Sequence, residues 1–192
     1  MAAKRAPADH TDNRRQGDAD AVSPAGGPDD AAGDTPFPVV GLGASAGGLE
    51  ALEQFLKAMP ADSGMAFVIV QHLDPSHPSI LAEILQRATA MPVLEVQDQM
   101  PVEPDHVYVI PPNRDMVIFH RTLQLSDPAE PRHQRLPIDS FFRSLALDQG
   151  DHTAGIILSG NGSDGTFGMH EILGAGGLCL VQDPVTARYS GM

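Results

Sequence analysis

Apolar residues along the chain follow two spacings that alternate. Continuous runs at residues 38–43 (PVVGLG) and 65–71 (MAFVIVQ) have the length and character of strands buried on both faces. Between them, residues 47–59 (GGLEALEQFLKAM) place Leu49, Leu52, Phe55, Leu56 and Met59 on one helical face and stop before Pro60. After the loop HLDPSHP (72–78), Ile80, Leu81, Ile84, Leu85 and Ala88 again share a helical face. VLEV (93–96) and VYVI (107–110) read as short strands around a turn-rich stretch, and MVIFH (116–120) with TLQLS (122–126) as an antiparallel hairpin turning near Arg121. PRHQRLP (131–137) reads as a loop, and residues 138–150 (IDSFFRSLALDQG) as a helix with Phe141, Leu145 and Leu147 inward. AGIILSG (154–160) is a further buried strand, GNGSDGTFG (160–168) a glycine-rich loop, MHEILGAG (169–176) a short helix and LCLVQ (178–182) the last clear strand. Apolar strands alternating with amphipathic helices predict an α/β fold, a three-layer sandwich around a mainly parallel sheet with an antiparallel hairpin portion.

Residues 1–36 break this pattern. They hold one Val and no Leu, Ile or Phe, against four Pro, four Gly and seven Asp. Such a segment cannot bury enough apolar surface to offset its ordering entropy, so a disordered acidic tail is expected, followed by one domain over residues 37–192. No apolar run approaches the roughly 18 residues of a membrane span, and the basic start is not followed by the apolar stretch of a secretory signal. The single cysteine, Cys179, cannot form an internal disulfide and reads as a buried structural thiol. A cytoplasmic location is expected. The net charge of −13 argues against nucleic acid and anionic membrane surfaces as partners, and makes a neutral ester easier to accommodate than a carboxylate.

Three polar residues stand at predicted carboxyl ends of strands. Gly43-Ala44-Ser45-Ala46-Gly47 matches G-x-S-x-G between a strand and a helix, a turn so sharp that only small residues fit beside the serine. The helix start behind it offers free N–H groups to an oxyanion, with the Ala46 amide as first candidate and Gly47 beside it. His72 follows the second strand, close enough to the first for its ring to take the serine proton. Asp164, in the glycine-rich loop after the strand at 154–160, can orient that ring; it also suits an ordinary N-cap of the helix that follows Gly165. Gly41-Leu42-Gly43-Ala44-Ser45-Ala46 fits the dinucleotide fingerprint too, but the second strand ends in Gln71-His72, and Asp74 lies past the acidic position that fingerprint requires. The same glycines also allow a helix to pack closely on the strand. His72, Asp74 and His77 suggest metal ligands only weakly, since Pro75 and Pro78 break any helical register; no metal and no cofactor is expected.

Taken together, GLGASAGGLEAL (41–52), IVQHLDP (69–75) and LSGNGSDGT (158–166) resemble the catalytic domain of the chemotaxis methylesterases of the CheB type. The resemblance covers residues 37–192. It implies hydrolysis of glutamate methyl esters on bacterial chemoreceptors, in some members with deamidation of glutamine, through Ser45 as nucleophile, His72 as base and Asp164 as the orienting acid. The family often has Thr where Ala46 stands and Met where Asn161 stands, so Asn161 falls on the oxyanion or substrate side of the pocket. Chemotaxis members usually carry an amino-terminal receiver domain, for which residues 1–36 are too short. GASAGG (43–48) and VIPPNRD (109–115) resemble the variants fused to a methyltransferase. The family continues into a further helix beyond Tyr189-Ser190-Gly191-Met192, so apolar surface on one sheet face is expected to lie open. A catalytically silent docking module and a nucleotide-binding domain are the alternative readings.

Overall fold

The continuous apolar runs become parallel strands, and the amphipathic segments cover them on both sides. The computed structural model describes residues 36–72, 80–131 and 134–192. The expected tail before Pro36, the loop residues Asp74 and His77, and Arg132 and His133 lie outside the described residues.

Six strands form one all-parallel sheet: β1 (Val39–Ala44), β2 (Ala66–Gln71), β3 (Val93–Glu95), β5 (Val107–Val109), β8 (Thr153–Ile157) and β10 (Leu178–Val181). Their order across the sheet is β10-β8-β1-β2-β5-β3. A separate antiparallel sheet contains β4 (Met100–Pro101), β6 (Asp115–Phe119) and β7 (Thr122–Ser126), with β7 in the middle. The β6–β7 hairpin turns on His120 and Arg121, both with positive φ (47° and 54°), as a tight two-residue connection demands. Asp148 accepts both of their N–H groups. A two-strand pair, β9 (Gly160–Asn161) with β11 (Ser190–Gly191), completes the described sheets. Neither β4 nor β11 was expected, because two residues are too few to show a period.

Side chains of β1 alternate between two cores. Val40, Leu42 and Ala44 pack with α1 (Gly48–Ala58) and α2 (Leu81–Gln86), chiefly through Leu52, Leu56, Leu81 and Leu85. Val39 points to the opposite core, built on α3 (Pro137–Gln149) with Phe141, Phe142 and Leu145 and on α4 (Thr166–Gly174) with Ile172. On that side β1 carries Gly41 and Gly43. A Cβ at Gly41 would lie 2.7 Å from Phe142, and one at Gly43 2.6 Å from Ile138. The glycines of the fingerprint-like run therefore let α3 lie directly on the strand. The packing explanation holds for these two positions.

Two inward assignments are corrected. Leu147 is 81% exposed, because α3 turns it away from the sheet while Phe142 takes the buried position. Ile80 is 59% exposed, since α2 begins only at Leu81. Cys179 is half-buried rather than buried; its thiol donates to the Met169 carbonyl (3.2 Å), and burial pushes its pKa up. The edge strand β10 leaves Leu178, Leu180 and Val181 exposed.

Candidate active site

β1 lies between β2 and β8, with α1 leaving on one face and α3 packed on the other. Chains diverge to opposite faces at such a point and leave a crevice at the carboxyl ends of the strands, where α/β proteins place their chemistry. Ala44 and Gln71 are register partners, so Ser45 and His72 each stand one residue beyond paired strand ends. The loop after β8 supplies the third wall: the Ser45 N–H donates to the Ser159 carbonyl at 3.1 Å. Gly160 must be a glycine, because a Cβ there would lie 2.9 Å from Ser45 Cβ.

Three functional groups join in one path. Ser45 Oγ lies 3.3 Å from His72 Nδ1, and His72 Nε2 lies 2.7 Å from Asp164 Oδ2. The carboxylate, an acceptor, sets the tautomer: Nε2–H donates to Asp164, leaving Nδ1 to accept the serine proton. The His72 side chain is 36% exposed and Asp164 only 4%, so the path runs from the open crevice into the interior. Asp164 also accepts the N–H of Ile138 on Oδ2 (3.1 Å) and of Asp139 on Oδ1 (2.9 Å). It therefore closes the amino end of α3. The alternative reading of Asp164 as an ordinary N-cap of the following helix is corrected: the cap residue of α4 is Gly165, with φ of 101°, which has no side chain to cap with.

The turn at Ser45 presents two amides. The Ser45 carbonyl accepts from the Gly48 N–H (3.0 Å), and the Ala46 carbonyl from the Ser159 hydroxyl (2.9 Å). A trans peptide holds its N–H opposite its carbonyl, so the Ala46 and Gly47 amides are turned away from those partners. Neither has a hydrogen-bond partner among the described residues. Asn161 is exposed on β9; its Oδ1 is turned to Gly191, where a Cβ would lie 3.1 Å away. A cleft of about 330 Å³ opens beside the turn, lined among others by Gly47, Glu50, Gln71 and Arg188, and the Gln71 Oε1 is buried without a hydrogen-bond partner among the described residues.

Sequence reading missed Ser159, which is buried and braces the turn. Besides donating to Ala46, its hydroxyl accepts the Tyr189 N–H at 3.0 Å. The only trace in the sequence is a polar residue directly after the apolar run 154–158. Among the described residues no cluster of His, Cys, Asp or Glu is arranged to hold a metal ion, and no helix is long and apolar enough to cross a membrane.

Comparison with known proteins identifies the family and the fold. The family model described as CheB methylesterase matches residues 40–192. The chain is 39% identical over 158 residues to protein-glutamate methylesterase/protein-glutamine glutaminase 1 of Xanthomonas campestris pv. campestris, covering 80% of this chain and 44% of that protein. It is 44% identical over 112 residues to an uncharacterized 104.1 kDa protein in the hypE 3' region of Rhodobacter capsulatus, covering 58% of this chain and 12% of that one. The chain thus spans less than half the length of these curated relatives. Among solved structures, the CheB methylesterase catalytic domain of Thermotoga maritima superposes with a TM-score of 0.74 at 26% identity, covering 82% of this chain and 86% of that one. With its serine, imidazole and carboxylate joined at the switch point of a parallel sheet, the chain belongs to the CheB methylesterase family.

Proposed function

We propose that this domain is a protein-glutamate methylesterase acting on methylated chemoreceptors or similar signalling proteins, with Ser45, His72 and Asp164 as its catalytic residues. The observation that carries the reading is the unbroken path from hydroxyl through imidazole to buried carboxylate, at 3.3 and 2.7 Å. Ser45 Oγ attacks the ester carbonyl carbon while His72 Nδ1 takes its proton. Asp164 holds the ring and balances the charge that forms on it. The unpartnered Ala46 amide, with the Gly47 amide and the Asn161 side chain beside the crevice, supplies donors to the oxyanion. Collapse of the tetrahedral intermediate breaks the bond to the methoxy oxygen, which leaves as methanol with the proton from His72. Water, deprotonated by the same ring, then attacks the acyl-serine and releases the glutamate carboxylate. A carboxylate product also suits a protein of net charge −13, which disfavours retaining it.

The same sequence of steps on a glutamine side chain releases ammonia, and the name of the Xanthomonas relative includes a glutaminase activity. The likeness to a 104.1 kDa protein, of which the matched part is 12%, supports a domain that works inside a larger protein, and the resemblance of GASAGG (43–48) and VIPPNRD (109–115) to the methyltransferase-fused variants makes a methyltransferase the fused or associated partner. Action in the cytoplasm, where receptor methylation sites lie, belongs to the same reading.

Methanol release from a methylated receptor is the direct test. Ser45→Ala abolishes it while the melting temperature stays unchanged, and a fluorophosphonate probe labels the wild type at Ser45. Turnover in the Ala variant, or a wild type inert to the probe, rejects the proposal.

A further inference from the structure

Asp139 takes no part in the proton path, yet its carboxylate is built into the frame that holds it. The side chain leaves the first turn of α3 and crosses to the start of α4. There Oδ1 accepts the N–H of Gly165 at 3.0 Å and of Gly168 at 2.7 Å. Asp164, at the head of α4, crosses the opposite way to the N–H groups of Ile138 and Asp139. Neither helix has a side-chain cap from its own cap residue, which is Leu136 for α3 and Gly165 for α4. Each positive helix end is therefore closed by a carboxylate from the other helix. Close approach of the two helices makes this exchange possible: a Cβ on Gly168 would lie 2.5 Å from Phe142 Cβ and 3.2 Å from Asp139 Cα.

We infer that Asp139 is a positioning residue for the triad, capping α4 so that the loop carrying Asp164 keeps Oδ2 aimed at His72. The inference rests on the catalytic reading of Ser45, His72 and Asp164. No hydrogen bond joins Asp139 to Ser45 or His72 among the described residues; it acts through Asp164. A residue kept only to fill space is a poor account of this position. Asp139 Oδ2 is buried without a hydrogen-bond partner among the described residues, and burial together with the nearby Asp164 charge pushes the carboxyl up from its ordinary value. Such a cost, held beside a reactive site, is expected where a geometry must be fixed.

The decisive quantity is the rate at which a fluorophosphonate labels Ser45, because it reads triad activation independently of the physiological substrate. Asp139→Ala should slow labelling by about 10²-fold, the scale of a roughly 1 Å misplacement, and lower kcat for ester hydrolysis with KM unchanged. Asp139→Asn keeps the Oδ1 acceptor and should restore most of the rate. Asp139→Glu keeps the charge but displaces the oxygens by a methylene, and should be slow. Wild-type labelling in the Ala variant, a rise in KM alone, or a Glu variant faster than Asn overturns the inference. Should the Ala variant fail to melt cooperatively, the Asn and Glu pair decides. A wild type labelled at Ser45 that releases no methanol from methylated receptor rejects the proposed substrate, while the labelling rates still judge Asp139.

Discussion

Removing the Asp164 carboxylate should unfold this protein more readily than removing either other member of its triad. In Asp164→Ala the N–H groups of Ile138 and Asp139 both lose their acceptor. Ile138 is fully buried, so water cannot take the place of the carboxylate there. Hydrogen bonds to charged acceptors contribute about 1.5 kcal/mol or more each, and an orphaned buried donor costs about 1–3 kcal/mol. Two such bonds give about 3 kcal/mol. Relief of repulsion with Asp139 returns less than about 1 kcal/mol, because that side chain is partly exposed. The net, about 2–3 kcal/mol, lowers the melting temperature of a domain this size by roughly 5–10 °C. Ser45→Ala deletes a hydroxyl bonded only to a partly exposed ring and should lie within about 0.5 kcal/mol of wild type. His72→Ala falls between them, since Asp164 keeps its two backbone donors. Thermal melts followed by far-UV circular dichroism on the three variants measure the order directly. An Asp164→Ala variant melting within about 2 °C of Ser45→Ala would show that the carboxylate does not hold α3.

Burial raises the Asp139 carboxyl, so the folded state binds its proton more readily than the unfolded chain does. Stability from this group therefore falls as pH rises from about 4 toward the raised value, and the penalty is full above it. The nearby Asp164, and Arg143 and Glu171, which line a separate cleft together with Asp139, are common to wild type and Asp139→Asn, so the melting temperature of the Asn variant minus that of wild type should grow over this pH range; a flat or falling difference rejects the assignment. Gly41→Ala forces a methyl to within 2.7 Å of Phe142 and should cost about 1–3 kcal/mol in urea unfolding, with Phe142→Leu and Gly41→Ala together costing less than their sum; strict additivity would mean the two do not compete for one space. The exposed Leu178, Leu180 and Val181 of edge strand β10 should drive weak association that Leu180→Lys with Val181→Lys removes in sedimentation velocity, and a concentration-independent wild type counts against it.

How far the site could be read from the sequence depended on whether each contact was local. Ser45 and His72 follow apolar runs directly, so strand ends alone place them, and parallel pairing brings them together. Asp164 was legible as the residue that orients the His72 ring, but not as the cap of α3. Six residues separate it from the end of β8, and the glycines between leave its direction open until α3 is packed. Its hydrogen bonds to α3 span 25 and 26 positions in sequence, and those from Asp139 to the start of α4 span 26 and 29. No periodicity encodes an exchange of caps between two helices. The tight approach that permits it depends on Gly168, which in a linear reading only weakens a helix. The glycines of β1 show the same limit from the other side. Their spacing fitted a nucleotide turn, a nucleophile turn and close packing alike. Gly41 and Gly43 serve the third, against α3, while Gly47, with φ of 74°, serves the turn that exposes Ser45. One short run thus answers two demands, a helix seated on the strand and a serine lifted at its end, and the helix so seated is the α3 whose amino terminus Asp164 closes. The geometry of the candidate site and the packing of the core are consequently not separable here: a substitution that loosens α3 on β1 should disturb the path from Ser45 to Asp164 even where it touches none of the three residues.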